Sequence, residues 1–192
     1  MKRLFVIAGL AAAFLLLVVA ASAQKANFAG TWNLDKSKSQ GLSQRMQGAD
    51  SVTWTITQDD KTISVDQKVT GGQPPAGGGG GGAGGGGGAG GGGGRGPGMG
   101  GPQSYNLDGK EATSDLNFGQ ATAKLTTKAT LSGGGVELMR KISSTGQDGT
   151  ERVNTTTQKL SLSGDGKTLT VVAHSEGGRG GPTDSTMVFN KQ

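Results

Sequence analysis

Asn27-Phe28-Ala29-Gly30-Thr31-Trp32-Asn33-Leu34-Asp35 stands directly behind an apolar leader, and its reading decides the fold. It reads as the entrance to the first strand of an all-β domain, with a Gly-x-Trp step at the point of entry. Upstream, Lys2 and Arg3 form a positive n-region, Leu4 to Val19 is apolar without a charge, and Ala21-Ser22-Ala23 fits the small-x-small pattern cut before Gln24. An apolar run near ~18 residues could also just span a bilayer as an uncleaved anchor, but the Ala-x-Ala site sits where a peptidase needs it. Residues 1–23 are therefore expected to be a signal peptide. The mature chain is expected to be periplasmic or secreted, with no integral membrane insertion after cleavage. The sequence contains no cysteine, so neither a lipid anchor on a thiol nor a disulfide framework is available.

Downstream, the period is two, the signature of a half-buried strand. Val52, Trp54 and Ile56 alternate with Ser51, Thr53, Thr55 and Thr57. Beyond the polar turn Gln58-Asp59-Asp60-Lys61, the residues Ile63, Val65 and Val69 continue one face, which makes a hairpin. Further strands are read at Tyr105 to Leu107; over Ala121, Ala123, Leu125, Ala129 and Leu131; over Val136, Leu138 and Ile142; at 153–162 and 169–174; and at Met187 to Phe189. Asp108-Gly109, Ser132-Gly133-Gly134-Gly135, Asp148-Gly149 and Asp165-Gly166 separate these runs. Asp-Gly between alternating strands favours type I′ hairpins, so the strands are expected to pair in sequence order. Only the stretch 37–50 could hold a helix, as one short amphipathic turn with Leu42 and Met46 on one side.

Removal of residues 1–23 from 192 leaves 169, enough for a single domain, 24–192. That domain is interrupted at 71–103, because 22 of the 39 glycines lie between Gly71 and Gly101 with no large apolar side chain except Met99. Such a segment buries too little surface to offset its ordering entropy, and it reads as a disordered glycine-rich loop. It contains chance matches to G-x-G-x-x-G, but a dinucleotide fingerprint needs a strand before it and a helix after it.

Eight or nine short strands in a meander leave two exposed edges unless the sheet closes. The expected architecture is an antiparallel up-and-down barrel of 8–9 strands, with a β-sandwich as the alternative. An outer-membrane barrel does not fit, since its strands run ~9 to 11 residues with aromatic girdles, and the aromatic residues here are few.

Several stretches together carry a resemblance. They are Phe28-x-Gly30-Thr31-Trp32-x-Leu34 followed by Lys36-Ser37-Lys38-Ser39; Tyr105-x-Leu107-Asp108-Gly109-Lys110; the Leu160-Ser161-Leu162 and Asp165-Gly166-Lys167-Thr168-Leu169-Thr170-Val171 hairpin; and Val188-Phe189-x-Lys191-Gln192. As a set they resemble a family of small, exported, lipocalin-like bacterial proteins of largely unassigned function. The resemblance implies that Trp32, beside Gly30, plugs the closed end of a barrel, where Lys191 is the cation that the last strand offers.

The inventory of reactive groups is thin. His174 is the only histidine, and it falls out of phase with Val171 and Ala173, so it is expected to face solvent beside Ser175 and Glu176. There is no G-x-S-x-G elbow. The acids are scattered over turns rather than spaced as zinc or calcium ligands. Gly166-Lys167-Thr168 mimics the end of a P-loop, but Ser161 stands where its first glycine belongs and a strand follows. No catalysis, no metal and no cofactor are expected. The formal net charge of +5 falls to +3 once Lys2 and Arg3 leave with the leader, and the basic residues are dispersed, so no nucleic-acid partner is expected.

These observations predict a monomeric, non-catalytic exported protein that binds a small apolar or amphipathic ligand inside the barrel. Trp54, Ile56, Val65, Leu125 and Leu138 are the candidate ligand-facing residues. Gly30 and Trp32 are assigned to the structural end. The alternative is a structural or interaction protein of the envelope, with a filled barrel and the glycine-rich loop as its contact surface. Alanines at 121, 123, 129 and 173 are compatible with a void or with a slim, packed barrel.

Overall fold

The computed structural model describes residues 26–71, 101–118, 121–146, 149–177 and 181–192. The expected signal peptide and most of the glycine-rich segment lie outside them. Ten strands form one antiparallel sheet: β1 (Gly30–Leu34), β2 (Ser51–Gln58), β3 (Thr62–Thr70), β4 (Gln103–Asn106), β5 (Ala112–Phe118), β6 (Ala121–Ser132), β7 (Gly135–Thr145), β8 (Glu151–Leu162), β9 (Thr168–Glu176) and β10 (Thr183–Lys191). Their spatial order is β4-β3-β2-β1-β10-β9-β8-β7-β6-β5, so every neighbour is consecutive in the chain except the pair β1 and β10. The sheet curls until β4 approaches β6 across the gap between its two edges, which gives a nearly closed barrel.

The expected count of 8–9 strands is corrected to ten, and the strand that the alternation did not reveal is β5. Its inward positions begin Ala112, Ser114, Leu116, so a single large aliphatic residue marks the core face of its first five residues. Its strand character comes from pairing with β6 rather than from its own pattern. Gln103, assigned by composition to the glycine-rich loop, opens β4.

The hairpin chemistry also differs from expectation. No described non-glycine residue has positive φ, so Asp108 and Asp165 do not take the left-handed conformation that a type I′ turn requires at both central positions. The glycine after each takes it instead, with φ of 74° at Gly109 and 67° at Gly166. Each aspartate accepts the amide two residues on, Lys110 N at 2.9 Å and Lys167 N at 3.1 Å. A short carboxylate serves as a local acceptor and leaves the unfavourable φ to glycine.

Each strand pair keeps one register throughout its length, so one face runs unbroken from β4 to β5 and carries the core. The main cluster gathers Phe28, Trp32, Val52, Trp54, Ile56, Ile63, Leu138, Leu160, Leu169, Val171 and Phe189 among its buried residues. A second, smaller cluster of Leu116, Ala123 and Leu125, with Ile142 against it, lies toward the ends of the long strands β6 and β7.

The connection from β1 to β2 covers one mouth of the barrel. After Leu34 the chain stays beside β10 through Asp35 N to Val188 O at 2.7 Å. It makes a single 3-10 turn (Lys36–Lys38), and Gln40 then exchanges both backbone hydrogen bonds with Thr186. Gly41 redirects it at φ 65°, where an added Cβ would stand 2.2 Å from the Asp184 carbonyl oxygen, so only glycine fits. Leu42 then turns into the core, and the short helix α1 (Gln44–Gly48) follows, capped by Ser43, with Met46 packed on the same cluster. Lys36 donates to the Gln47 carbonyl at 3.2 Å and to that of Ala49, holding the C-terminal end of α1. The expectation of one amphipathic turn bearing Leu42 and Met46 corresponds to this element.

Candidate functional site

The two mouths of the barrel are built differently. At one end Trp32 is fully buried, its indole N–H donating to the Phe28 carbonyl at 2.9 Å. Gln58 ties the preceding chain down, accepting from Phe28 N and donating to the Ala26 carbonyl, both at 2.9 Å. The Lys191 ammonium lies 5.2 Å from the centre of the Trp32 ring, within cation–π range. Gly30 makes that approach feasible, since a Cβ there would meet Lys191 Cε at 2.9 Å. Gly30, Trp32 and Lys191 thus meet at one closed end.

The candidate ligand-facing residues fall into two places. Trp54, Ile56, Val65 and Leu138 share the main cluster, whereas Leu125 belongs to the second one. Trp54 is buried with its ring centre 4.9 Å from that of Phe189, so this part of the interior is filled by side chains. Its Nε1 is buried and has no hydrogen-bond partner among the described residues.

Open volume lies at the opposite mouth, beneath α1. A cavity of about 260 Å³ is bounded by the chain from Gly41 to Met46 and by the inward faces of β8, β9 and β10. Leu42, Met46, Ala173 and Met187 give it apolar surface, and Thr156, Gln158, Ser175, Thr183 and Ser185 give it hydroxyl and amide groups. None of the five candidate ligand-facing residues lines it. A second hollow of about 320 Å³ at the ends of β5 to β8 is lined by Lys124 and Ala123, which lie on opposite faces of β6, and by Asp115 and Glu151, so it is a notch at the end of the sheet rather than interior space.

The polar wall of the inner cavity belongs to a longer row. Register places Ala112, Thr127, Arg140, Thr156, Ser175 and Thr183 opposite one another in succession across β5 to β10. Thr127 is the one buried polar residue of the chain's described part, and Thr156 Oγ1 meets Ser175 Oγ at 2.7 Å. Tyr105 on β4 senses the same region: burial raises the pKa of its hydroxyl, and the positive charge of Arg140 acts in the opposite direction. Sequence reading of alternating apolar residues passes over this row, because beyond Ala112 its inward positions are hydroxyls and a guanidinium.

His174 stands on the outward face of β9, opposite Asp184 of β10. Its Nδ1 is 2.7 Å from Asp184 Oδ1 and its Nε2 2.9 Å from Glu176 Oε1, and these carboxylates raise its pKa. Ser175 points to the opposite face, so the adjacent serine and histidine do not form a nucleophile–base pair. No group of three or more His, Cys, Asp or Glu suited to a metal ion is present among the described residues. No protein-family model matches the chain, and no curated protein matches its sequence.

Proposed function

We propose that this is an exported, non-catalytic binding protein of lipocalin-like type that holds one small amphipathic molecule in the cavity beneath α1. The observation that carries this reading is the two-sided lining. Apolar residues from the 41–46 segment and β10 face hydroxyls and an amide from β8 to β10 around one cavity that is open on one side, and mixed walls of this kind fix the orientation of a small ligand. The leader and the Phe28-to-Leu34 resemblance support export and the barrel type. The ligand-facing set moves accordingly, from the strands around Trp54 to Leu42, Met46, Thr156, Ser175 and Met187.

One observation favours the alternative of a structural or interaction protein of the envelope: the Trp54 and Phe189 half of the interior is filled. Native mass spectrometry of the protein purified from its export compartment separates the two. Binding predicts a copurifying small molecule that is absent from a folded Ser185→Trp variant, in which the indole occupies the cavity. An unmodified mass for the parent protein, together with flat calorimetric titrations against small amphipathic compounds, would support the structural alternative.

A further inference from the structure

Register arranges the inward residues of β8, β9 and β10 in rows where these strands bound the cavity beneath α1. Nearest the strand ends, Thr156, Ser175 and Thr183 stand opposite one another, and two residues deeper come Gln158, Ala173 and Ser185. Deeper again are Leu160, Val171 and Met187, all buried. Hydroxyls thus form a rim and apolar side chains a floor, and the row between them is mixed. Gln158 and Ser185 are two strand spacings apart, about 10 Å, with only the methyl group of Ala173 between them.

The rim is partly engaged with itself, since Thr156 Oγ1 meets Ser175 Oγ at 2.7 Å. Gln158 and Ser185 both line the cavity, and their side chains make no hydrogen bond to another described residue. No charged side chain lines it among the described residues. A carboxamide offers N–H donors and a carbonyl acceptor, and a hydroxyl likewise donates and accepts. The middle row therefore suits a partner that does both. A carboxylate only accepts and an ammonium only donates, so either would leave half of these groups unanswered. Either would also give up hydration with no opposite charge in the wall to compensate.

We propose that the cavity takes a small uncharged amphiphile with an amide head, the head lying over Ala173 between Gln158 and Ser185 and the apolar part against Leu42, Met46 and Met187. This rests on the binding reading given above and names the ligand class. A primary amide answers the Gln158 carboxamide through two reciprocal N–H···O bonds, and it keeps a donor and an acceptor for the Ser185 hydroxyl. Size limits the rest: at about 30 Å³ of liquid volume per water, about 260 Å³ holds the equivalent of roughly nine waters. That is the scale of octanamide rather than of a long-chain amide.

Calorimetric titration of the purified protein with octanamide, octanoate and octylammonium at neutral pH tests this. Octanamide should bind at least about tenfold tighter than either ion, and this order is read on the parent protein without any variant. Gln158→Leu, which keeps the bulk and removes the carboxamide, should weaken octanamide by about tenfold. Gln158→Glu, nearly the same size, should turn the preference toward octylammonium, a gain that a misfolded chain cannot show. An ion bound by the parent as tightly as octanamide, or an octanamide affinity that Gln158→Leu leaves unchanged, would overturn the amide assignment while leaving the binding reading intact. Silence of all three compounds would overturn both.

Discussion

Trp32 and Trp54 face each other directly across β1 and β2, both buried, and differ in one respect: the Trp32 indole N–H reaches the Phe28 carbonyl, while that of Trp54 reaches no described acceptor. Exchange of each for phenylalanine removes the same atoms from an equally buried position, so the cavity contribution is common to both variants. The polar contributions have opposite signs. In Trp32→Phe the Phe28 carbonyl loses its partner, a cost of about 1–3 kcal/mol, whereas Trp54→Phe removes an unserved buried donor and relieves a penalty of the same order. Even at the low end Trp54→Phe should be the more stable variant by about 2 kcal/mol. With a urea m-value of about 2 kcal/mol/M, the midpoints should separate by about 1 M. Urea unfolding followed by far-UV circular dichroism measures this directly. Coincident midpoints, or a lower one for Trp54→Phe, would show that the Trp54 N–H is served after all and that the closed end is not held by the Trp32 bond.

Truncation to alanine is harsher, and Trp32→Ala should destabilise by about 3–5 kcal/mol in the same assay. Gly41→Ala should cost more than about 1 kcal/mol, because its φ is positive and its Cβ position is occupied by the Asp184 carbonyl, and differential scanning calorimetry would register the fall in Tm. For His174 the folded-state pKa lies above the unfolded value, so its contribution is fully present below about pH 6.5 and is lost as pH rises through the raised pKa. The difference in midpoint between the parent protein and His174→Gln should therefore shrink across that window, and a difference that grows with pH would contradict the pairing with Asp184 and Glu176. Intact-mass analysis of the exported protein should give a chain beginning at Gln24, whereas retention of residues 1–23 would indicate an anchor.

Strands whose inward residues are large were legible in the sequence, because Val52-x-Trp54-x-Ile56 and Val136-x-Leu138 carry the period of two in their own composition. β5 was not, since its core-facing side starts with Ala112 and Ser114 and its register is imposed by β6. The cavity was hidden for a related reason. In Asn154-Thr155-Thr156-Thr157-Gln158 nothing distinguishes inward from outward, and only the pairing of β8 with β7 and β9 turns Thr156 toward the interior. The alternation places Trp54 on the inward face, but a face does not say whether its neighbour is a ligand or Phe189; that depends on which side chains the curvature of the sheet brings together.

The seam between β1 and β10 has a consequence in time. All other strand pairs join segments that follow one another in the chain and can zip locally, whereas this one joins Leu34 to Phe189 and fuses β4-β3-β2-β1 to β9-β8-β7-β6-β5 through the last strand. Until residues 183–191 are available the two halves have no shared ladder, the Trp32 end lacks Lys191, and Gln40 lacks Thr186. Final closure of the sheet therefore waits for the last strand.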